Sequence, residues 1–314
     1  MLIKDAEMAG FLPWLKFVWH AHITNWLWRD SLTRRLTRQR RFQELKMGYL
    51  ARYIPFVKSL KAENLIQTSP DENDKSEEKV FSLWFQGVEN APQVVKSCLA
   101  SVKKIYGDRF IVLDGKTMLD YITLPDYIME KWEKKQIGAA NFSDVVRIEL
   151  LTHYGGYWFD ATDYLLRPVP ELIVDSDFFM FVTSPQVYTH MFVQTCFIRA
   201  KKGDPLIKMW RDLVFEYWKN ENKSADYFLV HLLLKLLVTH NEEAARLFEK
   251  MPKLYQDSLH DLWYVYGDRP YDEEDYKKMV GENFFQKCSY RKLKHAVWDI
   301  KPDSMADRLI NGNN

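Results

Sequence analysis

The sequence lacks any hydrophobic run long enough to cross a membrane. Its longest apolar stretches, 11–19 and 228–238, are interrupted by lysine or histidine, and both fall short of the ~20 residues that a transmembrane helix needs. The first residues carry acidic side chains and lack an apolar segment followed by a small-residue cleavage site, so we expect no secretory signal. These features predict a cytoplasmic protein.

Cysteine is scarce as well. The 314 residues include only Cys98, Cys196 and Cys288, which are too few and too scattered for a disulfide framework or a thiolate metal site. Free cysteine packs like a small hydrophobic residue, so we expect buried, reduced thiols. Internal repeats and low-complexity tracts are absent too, and a hydrophobic content of 47% suffices for a large core.

The net charge of +1 conceals an uneven distribution. Residues 1–60 hold eleven basic and four acidic side chains, so this segment carries +7 and the rest of the chain carries −6. The basic residues concentrate in 29–41, behind a segment with four tryptophans. A basic helix flanked by tryptophan suits an anionic membrane surface, here the inner face of the cell membrane, or an acidic polymer. A solvated helical hairpin packed against the main domain explains the pattern equally well.

A domain boundary is predicted near residue 80. The segment 68–79, TSPDENDKSEEK, is short, polar and acidic, which is a typical linker composition. We therefore expect a basic, tryptophan-rich helical region with its linker over 1–79, and one larger domain over 80–314.

Strands and helices alternate in the predicted larger domain. Hydrophobic patterns predict strands at 80–85, 110–113, 157–159, 178–182 and 195–199, and helices at 92–105, 125–135, 206–218, 226–239 and 242–250. A further helix is predicted to begin at Asn141, with Asp144 as its capping-box partner, and to end at Gly155 and Gly156. This order indicates an α/β nucleotide-binding fold with a parallel sheet and helical additions.

A candidate site follows from the stretch GGYWFDATD, residues 155–163. Ligands of open parallel sheets gather at the carboxyl ends of the strands, and Asp160 comes at such an end. In the preceding helix Asp144 and Arg147 are three residues apart and share a face. The pattern alone favours an ordinary surface ion pair. However, the planar fork of arginine also suits a sugar or diphosphate oxygen, and an adjacent acid would hold that fork in place.

Four segments of the chain resemble a known family. In order and spacing, SLWFQGVENAPQVVKSC, LPDYIMEKWEKKQIGAANFSDVVRIELLTHYGGYWFDAT, DYFLVH and QKCSYRK resemble the bacterial capsular polysaccharide synthesis protein family. That family is similar to retaining glycosyltransferases of the GT-A fold, which carry an SD..R…GG.Y.D.D signature. The resemblance covers about residues 80–295. It implies a GT-A-like, Rossmann-like α/β domain with helical additions at both ends.

The resemblance also implies roles for the acidic and basic residues. Asp144 and Arg147 are expected to hold ribose or donor sugar and the diphosphate, and Asp160 matches the first aspartate of the Asp-x-Asp signature. The second aspartate falls on Thr162, which weakens the case for a tightly held Mn²⁺ or Mg²⁺ ion. Asp163 is a weak second metal ligand, because strand alternation turns it to the opposite face unless the chain bends there. We therefore expect Asp160, not Asp163, to be the indispensable acid.

Other positions in the matching segments are candidates for substrate binding. Trp84, Gln86 and Gly87 end the first strand and could receive a nucleobase, although Trp84 could also be a core aromatic residue. Asp226 fits a helix cap better than a substrate ligand, and His231 is expected to be a satisfied core histidine. Three alternating polar residues could line one strand face near the diphosphate, or form a solvated edge: Lys287, Ser289 and Arg291. Gln286 stands where the family often has histidine, which weakens a metal site further.

Taken together, the residues and the resemblance predict a glycosyltransferase. Its donor would be a nucleotide-sugar, with a UDP-sugar favoured, and its acceptor a capsular or other surface polysaccharide or the lipid-linked precursor. Retention of anomeric configuration is implied by the resemblance alone. A sugar-phosphate transferase, and a non-catalytic glycan-binding or scaffold protein of the same fold, remain alternatives. No nucleic-acid partner is expected.

Overall fold

The computed structural model describes residues 44–62, 78–183, 192–255, 258–267, 269–290 and 300–312. The basic segment 29–41 and most of the predicted linker lie outside these ranges, so their predicted roles stay predictions. Within the described ranges, no helix has both the length and the apolar character needed to span a bilayer.

A mixed five-stranded sheet forms the centre of the fold. Its strands are β1 (Val80–Leu83), β2 (Phe110–Leu113), β3 (Gly156–Phe159), β5 (Phe178–Val182) and β6 (Val193–Ala200), arranged in the order β2-β1-β3-β6-β5. β1 runs parallel to β2 and β3, whereas β6 runs antiparallel to β3 and β5. The parallel part of the sheet therefore consists of β1, β2 and β3, while β5 and β6 form an antiparallel pair at one edge. Their connection, 183–192, is shorter than the dozen or so residues that a parallel crossover requires.

Helices cover the sheet and fill the second half of the chain. They are α1 (Ile54–Ser59), α2 (Gln93–Tyr106), α3 (Asp126–Glu133), α4 (Ala139–Tyr154), α5 (Glu171–Val174), α6 (Pro205–Asn220), α7 (Leu229–His240), α8 (Glu242–Lys250), α9 (Glu273–Glu282) and α10 (Met305–Asn311). Start signals in the sequence explain α6 and α8. The Asp204 side chain accepts a hydrogen bond from the Ile207 amide, and the Asn241 side chain caps α8 in the same way. The α/β class predicted from the sequence is confirmed.

Two of the predicted helix starts are wrong. Helix α4 begins at Ala139 with Gly138 as its N-cap, so Asp144 lies inside the helix and forms no capping box with Asn141. Helix α7 begins at Leu229, and its N-cap is Phe228. Both expected cap residues also make tertiary contacts, since Asn141 donates to the Tyr227 carbonyl oxygen and Asp226 pairs with Lys46.

A second, two-stranded sheet was not predicted from the sequence. β4 (Asp163–Leu165) pairs antiparallel with β7 (Phe285–Lys287), and the register places Asp163 opposite Lys287. The strand predicted from the alternation of Lys287, Ser289 and Arg291 ends at Lys287, so Ser289 lies beyond it. Arg291 lies outside the described residues. This small sheet joins two parts of the chain more than a hundred residues apart.

Residues 44–62 pack on the same core as the larger domain. Residues 44–50 are helical, and Leu50, Tyr53 and Val57 belong to the main hydrophobic cluster. The hydroxyl group of Tyr53 donates to Glu221, and the side-chain amide of Asn241 donates to the Val57 carbonyl oxygen over 2.8 Å. A boundary at residue 80 therefore does not separate 44–62 from the domain that follows.

A glycine pair joins α4 to β3 in a conformation that other residues rarely adopt. Gly155 has φ +66° and Gly156 has φ +88°. A Cβ atom on Gly156 would lie 2.1 Å from the Lys79 carbonyl oxygen, closer than any real contact. The predicted helix end at this pair is confirmed, and the close approach lets β3 begin directly beside residue 79.

We predict that Gly156→Ala lowers the free energy of unfolding by about 1–3 kcal/mol, because the positive φ is strained for alanine and the new methyl group collides with the backbone. Urea denaturation of the purified variant measures this. Gly281→Ala is the control, since Gly281 is exposed in α9, has open space around it, and should gain up to about 1 kcal/mol from helix propensity. Equal stability of Gly156→Ala and wild type would contradict the backbone geometry.

Candidate active site

A cleft of about 610 Å³ opens at the carboxyl ends of β1 and β3. The segments after these strands form part of its wall, and the remainder comes from the first half of α4, the start of β6, the start of α7, and the end of β7 with the residues after it, 287–290. A second cavity of the same volume lies at the opposite edge of the sheet, where β5 begins and β6 ends, away from Asp160. The first cleft lies at the end of β3, where the sequence predicts a site.

The chain turns sharply at Asp160. Strand β3 ends at Phe159, and the Asp163 amide donates to the Asp160 carbonyl oxygen over 2.9 Å, so residues 160–163 form a tight turn before β4. Strand alternation therefore stops at residue 159, and the prediction that Asp163 faces away from the site is wrong. The Asp163 side chain is fully buried, and its Oδ1 lies 3.2 Å from Lys287 Nζ.

Arg147 lies beside two carboxylates in the interior. Its Nη2 is 3.3 Å from Asp144 Oδ1 and 3.2 Å from Asp160 Oδ1, and its Nη1 donates to the Thr195 carbonyl oxygen over 2.6 Å. The guanidinium carbon lies 4.9 Å from the centre of the Trp158 ring. Arg147 and Asp144 are both buried, so the alternative of a surface ion pair is excluded.

Lys287 holds the other oxygen of Asp160. Its Nζ donates to Asp160 Oδ2 over 2.7 Å and to Thr162 Oγ1 over 2.8 Å. The indole nitrogen of Trp158 donates to Asp160 Oδ1 over 2.9 Å. Asp160 and Lys287 keep 25% and 19% of their side-chain surface exposed, so both can be reached from the cleft.

Burial and neighbouring charges divide the three carboxyl groups into different protonation states. Burial raises the pKa of Asp163 to about 8 and that of Asp144 to about 7, although nearby cations oppose the shift. For Asp160 burial acts in the same direction, but Arg147 and Lys287 outweigh it and lower the pKa. At pH 7 Asp160 is thus ionised, Asp163 is mostly protonated and Asp144 is near the midpoint of its titration, so the negative charge of the three carboxyl groups is smaller than the positive charge of the two cations.

Three polar atoms on cleft residues are buried without a hydrogen-bond partner in the described part of the chain. They are Trp84 Nε1, Arg147 Nε and His231 Nδ1. Buried polar groups are normally paired, so such atoms mark a place where a ligand could bind. His231 was predicted to be a satisfied core residue, and this is wrong for Nδ1. Burial lowers the pKa of His231 to about 3, so the imidazole is neutral.

The remaining predicted residues are divided between the cleft and its surroundings. Trp84, Gln86 and Ser289 line the cleft. Gly87 has φ +80° and shapes the turn after β1, but does not line the cleft. Asp226 accepts a hydrogen bond from the Phe228 amide and pairs with Lys46, which favours the structural role over a substrate contact. The sequence assigned His231, which closes the DYFLVH segment, to the core, although it lines the cleft. The sequence did not single out the exposed aromatic residue Tyr290, which meets Trp84 edge to face at 5.1 Å.

The acidic residues do not fit a divalent metal as they stand. Among the described residues, no group of three or more His, Cys, Asp or Glu side chains is arranged to hold a metal ion. Thr162 takes the place of the second signature aspartate, and the ammonium group of Lys287 fills the space between Asp160 and Asp163. A divalent ion at this position would have to displace Lys287.

Comparison with known proteins gives partial matches to glycosyltransferases. The chain is 26% identical to the O-glycosyltransferase braB of Annulohypoxylon truncatum over 182 residues, and 25% identical to the O-glycosyltransferase PaGT of Phomopsis amygdali over 179 residues. Each match covers 52% of this chain, but only 42% and 44% of the respective relative, so the chain spans less than half their length. A solved structure titled PaToxG Glycosyltransferase matches with a TM-score of 0.38 and 13% identity, over 68% of this chain and 86% of that one.

A family match covers most of the chain. The sequence model described as capsular polysaccharide synthesis protein matches residues 32–308. The match begins well before residue 80, in agreement with the packing of residues 44–62 on the main core. It also includes Asp144, Arg147, Asp160 and Lys287. The chain therefore belongs to the capsular polysaccharide synthesis protein family.

Proposed function

We propose that the protein is a glycosyltransferase that moves a sugar from a nucleotide-sugar donor, with UDP-sugars favoured, to a hydroxyl group of a surface glycan or its lipid-linked precursor. The observation that carries the proposal is the positive cluster of Arg147, Asp160 and Lys287 in the floor of a large cleft. Family membership and the named activity of the fungal relatives support it.

The cluster matches the charge that develops during sugar transfer. When the bond between the anomeric carbon and the diphosphate oxygen breaks, negative charge accumulates on the leaving diphosphate. Cations fixed in a partly desolvated cleft stabilise that charge without reorganising. Lys287 lies at the cleft surface for this role, while Arg147 lies behind it and holds Asp160 in place.

Other features of the cleft suit the remaining parts of a donor. The Trp84–Tyr290 pair offers aromatic surface and a free indole N–H for a nucleobase. Asp160 Oδ2 and the neutral imidazole of His231 can hydrogen-bond ribose or sugar hydroxyl groups. Asp160 is a weak nucleophile because both of its oxygens are engaged by cations or by N–H donors. Retention, which only the family resemblance implies, would then need no covalent intermediate: the acceptor hydroxyl attacks on the side of the departing diphosphate and gives its proton to the diphosphate oxygen.

The first test replaces Asp160. We expect Asp160→Asn to lower turnover at least about 100-fold, because the variant loses the charge that fixes Lys287 and contacts the donor. UDP should still raise the melting temperature, since both cations remain. Release of UDP from a panel of UDP-sugars with glycan acceptors measures turnover, and a matching GDP-sugar panel covers the other nucleotide.

The control for this variant is Asp108→Asn, because Asp108 is a fully exposed acid that pairs with Lys103 far from the cleft. It should behave as wild type in both assays. Turnover of Asp160→Asn at the wild-type rate would contradict the assignment of the site. If no nucleotide raises the melting temperature of wild type, the proposed function itself is wrong.

A second test concerns the shape of the Arg147 side chain. Its fork contacts Asp144, Asp160 and the Thr195 carbonyl oxygen together, and a lysine ammonium cannot reach all three. We predict that Arg147→Lys raises the barrier to turnover by about 2–4 kcal/mol while the protein remains folded. The matched control is Arg211→Lys, since Arg211 also pairs with two acids, Glu149 and Asp212, but lies outside the cleft. Equal turnover of the two variants would show that Arg147 has no special role.

A third test uses pH. The raised pKa of Asp163 keeps its carboxyl group neutral below about 8, and above that value the new negative charge lies beside Lys287. Affinity of wild type for UDP should therefore fall about three- to tenfold between pH 7 and 9. Asp163→Asn stays neutral and should lose most of that fall while binding UDP normally at pH 7. Calorimetric titration at several pH values measures this, and identical pH profiles for both proteins would contradict the assignment.

A further inference from the structure

We propose that the ammonium group of Lys287 takes the place of a divalent metal ion, so that the donor diphosphate binds to a cation built into the chain. This inference rests on the proposed function, because it assigns the group that holds the diphosphate. The site would then work without added Mn²⁺ or Mg²⁺.

The position of Lys287 Nζ is that of a cation bound by oxygen ligands. It lies 2.7 Å from Asp160 Oδ2, 2.8 Å from Thr162 Oγ1 and 3.2 Å from Asp163 Oδ1. All three oxygens belong to the turn 160–163, which closes around the ammonium group from one side. The remaining side is open, because Lys287 keeps 19% of its side-chain surface exposed and lines the cleft.

The backbone fixes this position. In the β4–β7 register Lys287 lies directly opposite Asp163, and the Lys287 amide donates to the Leu259 carbonyl oxygen over 2.6 Å. The next residue is also tied to the turn, since the Cys288 amide donates to the Thr162 carbonyl oxygen over 2.8 Å. The Cα atom of Lys287 therefore cannot move away from the turn without breaking the small sheet. A group held in this way is organised before any ligand arrives.

The ammonium group keeps a hydrogen-bond donor for a ligand. Two of its three protons go to Asp160 and Thr162. Asp163 Oδ1 is close enough for an ion pair but accepts no hydrogen bond from the described residues. The third proton can thus turn to a phosphate oxygen in the cleft. Lysine binds phosphate as a point charge, as a metal ion does.

The ligand set of the turn fits an ammonium ion better than a divalent ion. Thr162 contributes a neutral hydroxyl where the family signature has a second aspartate, and Asp163 Oδ1 lies 3.2 Å from the ammonium group without accepting a hydrogen bond. Asp160 is therefore the one carboxylate of the turn that accepts a hydrogen bond from the ammonium group. Removing the lysine would leave two carboxyl groups and a hydroxyl around an open position, and hard oxygen ligands of this kind attract Mn²⁺ or Mg²⁺.

The decisive experiment compares wild type with Lys287→Ala in two binding assays. The first assay measures binding of Mn²⁺ alone through the paramagnetic resonance of the free ion. Wild type should bind Mn²⁺ very weakly, and the variant should bind it with an affinity at least about tenfold higher. The affinity of wild type for UDP, measured by calorimetry, should be the same in excess EDTA as in the presence of Mn²⁺. For Lys287→Ala it should be about 10- to 100-fold weaker, and Mn²⁺ should restore part of the loss.

Two further variants serve as a matched control and as a substitute for an unstable variant. Lys253→Ala is the matched control, since the Lys253 ammonium is partly buried against backbone carbonyl groups away from the cleft, and it should behave as wild type in both assays. Lys287→Met keeps the aliphatic stem and replaces Lys287→Ala if the latter melts at a much lower temperature.

The possible outcomes separate this inference from the proposed function. If wild type binds UDP only when Mn²⁺ is present, or binds Mn²⁺ as tightly as Lys287→Ala, the inference is wrong although a nucleotide site exists. If wild type binds no nucleotide under either condition, the proposed function fails. UDP binding in EDTA that depends on Lys287 and not on Lys253 supports both.

Discussion

The carboxylate of Asp160, held between the guanidinium group of Arg147 and the ammonium group of Lys287, is the interaction on which the site depends. Burying charge is costly unless each ion is paired and hydrogen-bonded. Here one carboxylate accepts contacts from two cations and from the Trp158 indole. Removing Asp160 would take a partner from both cations, and removing either cation would leave Asp160 with only the other, so the three positions form a unit. Burial raises the pKa of Asp163, the second carboxyl group in the turn, to about 8, so this group is mostly protonated at pH 7.

The fold brings these ions together from distant parts of the chain. Helix α4 contributes Arg147, the turn after β3 contributes Asp160, and β7 contributes Lys287. Two connections set the geometry: the glycine pair, which lets β3 begin directly after α4, and the β4–β7 sheet, which places Lys287 over the turn. The cleft is thus built on rigid elements, and a site that must hold a ligand precisely benefits from such support.

Local patterns in the sequence predicted much of this structure. The strands 110–113 and 178–182 and the helix 242–250 have their predicted bounds, because a hydrophobic period and clear end signals mark each of them. The three-residue spacing of Asp144 and Arg147 also placed both on one helix face correctly. The β4–β7 pair had no such signal, since each strand is only three residues long and its partner lies far along the chain. A bend at 160–163 was only an alternative at the sequence level, because strand alternation alone turns Asp163 to the opposite face.

The most direct test of the account is phosphorus NMR of UDP added to the wild-type protein in excess EDTA. If the cluster of Arg147, Asp160 and Lys287 holds the diphosphate, both phosphorus signals should shift or broaden on binding, the terminal phosphate most strongly, and Lys287→Met should reduce the effect. Unchanged phosphorus signals under conditions where the uridine protons show binding would contradict the account, because the nucleotide would then be bound through its base while the diphosphate stayed in solution.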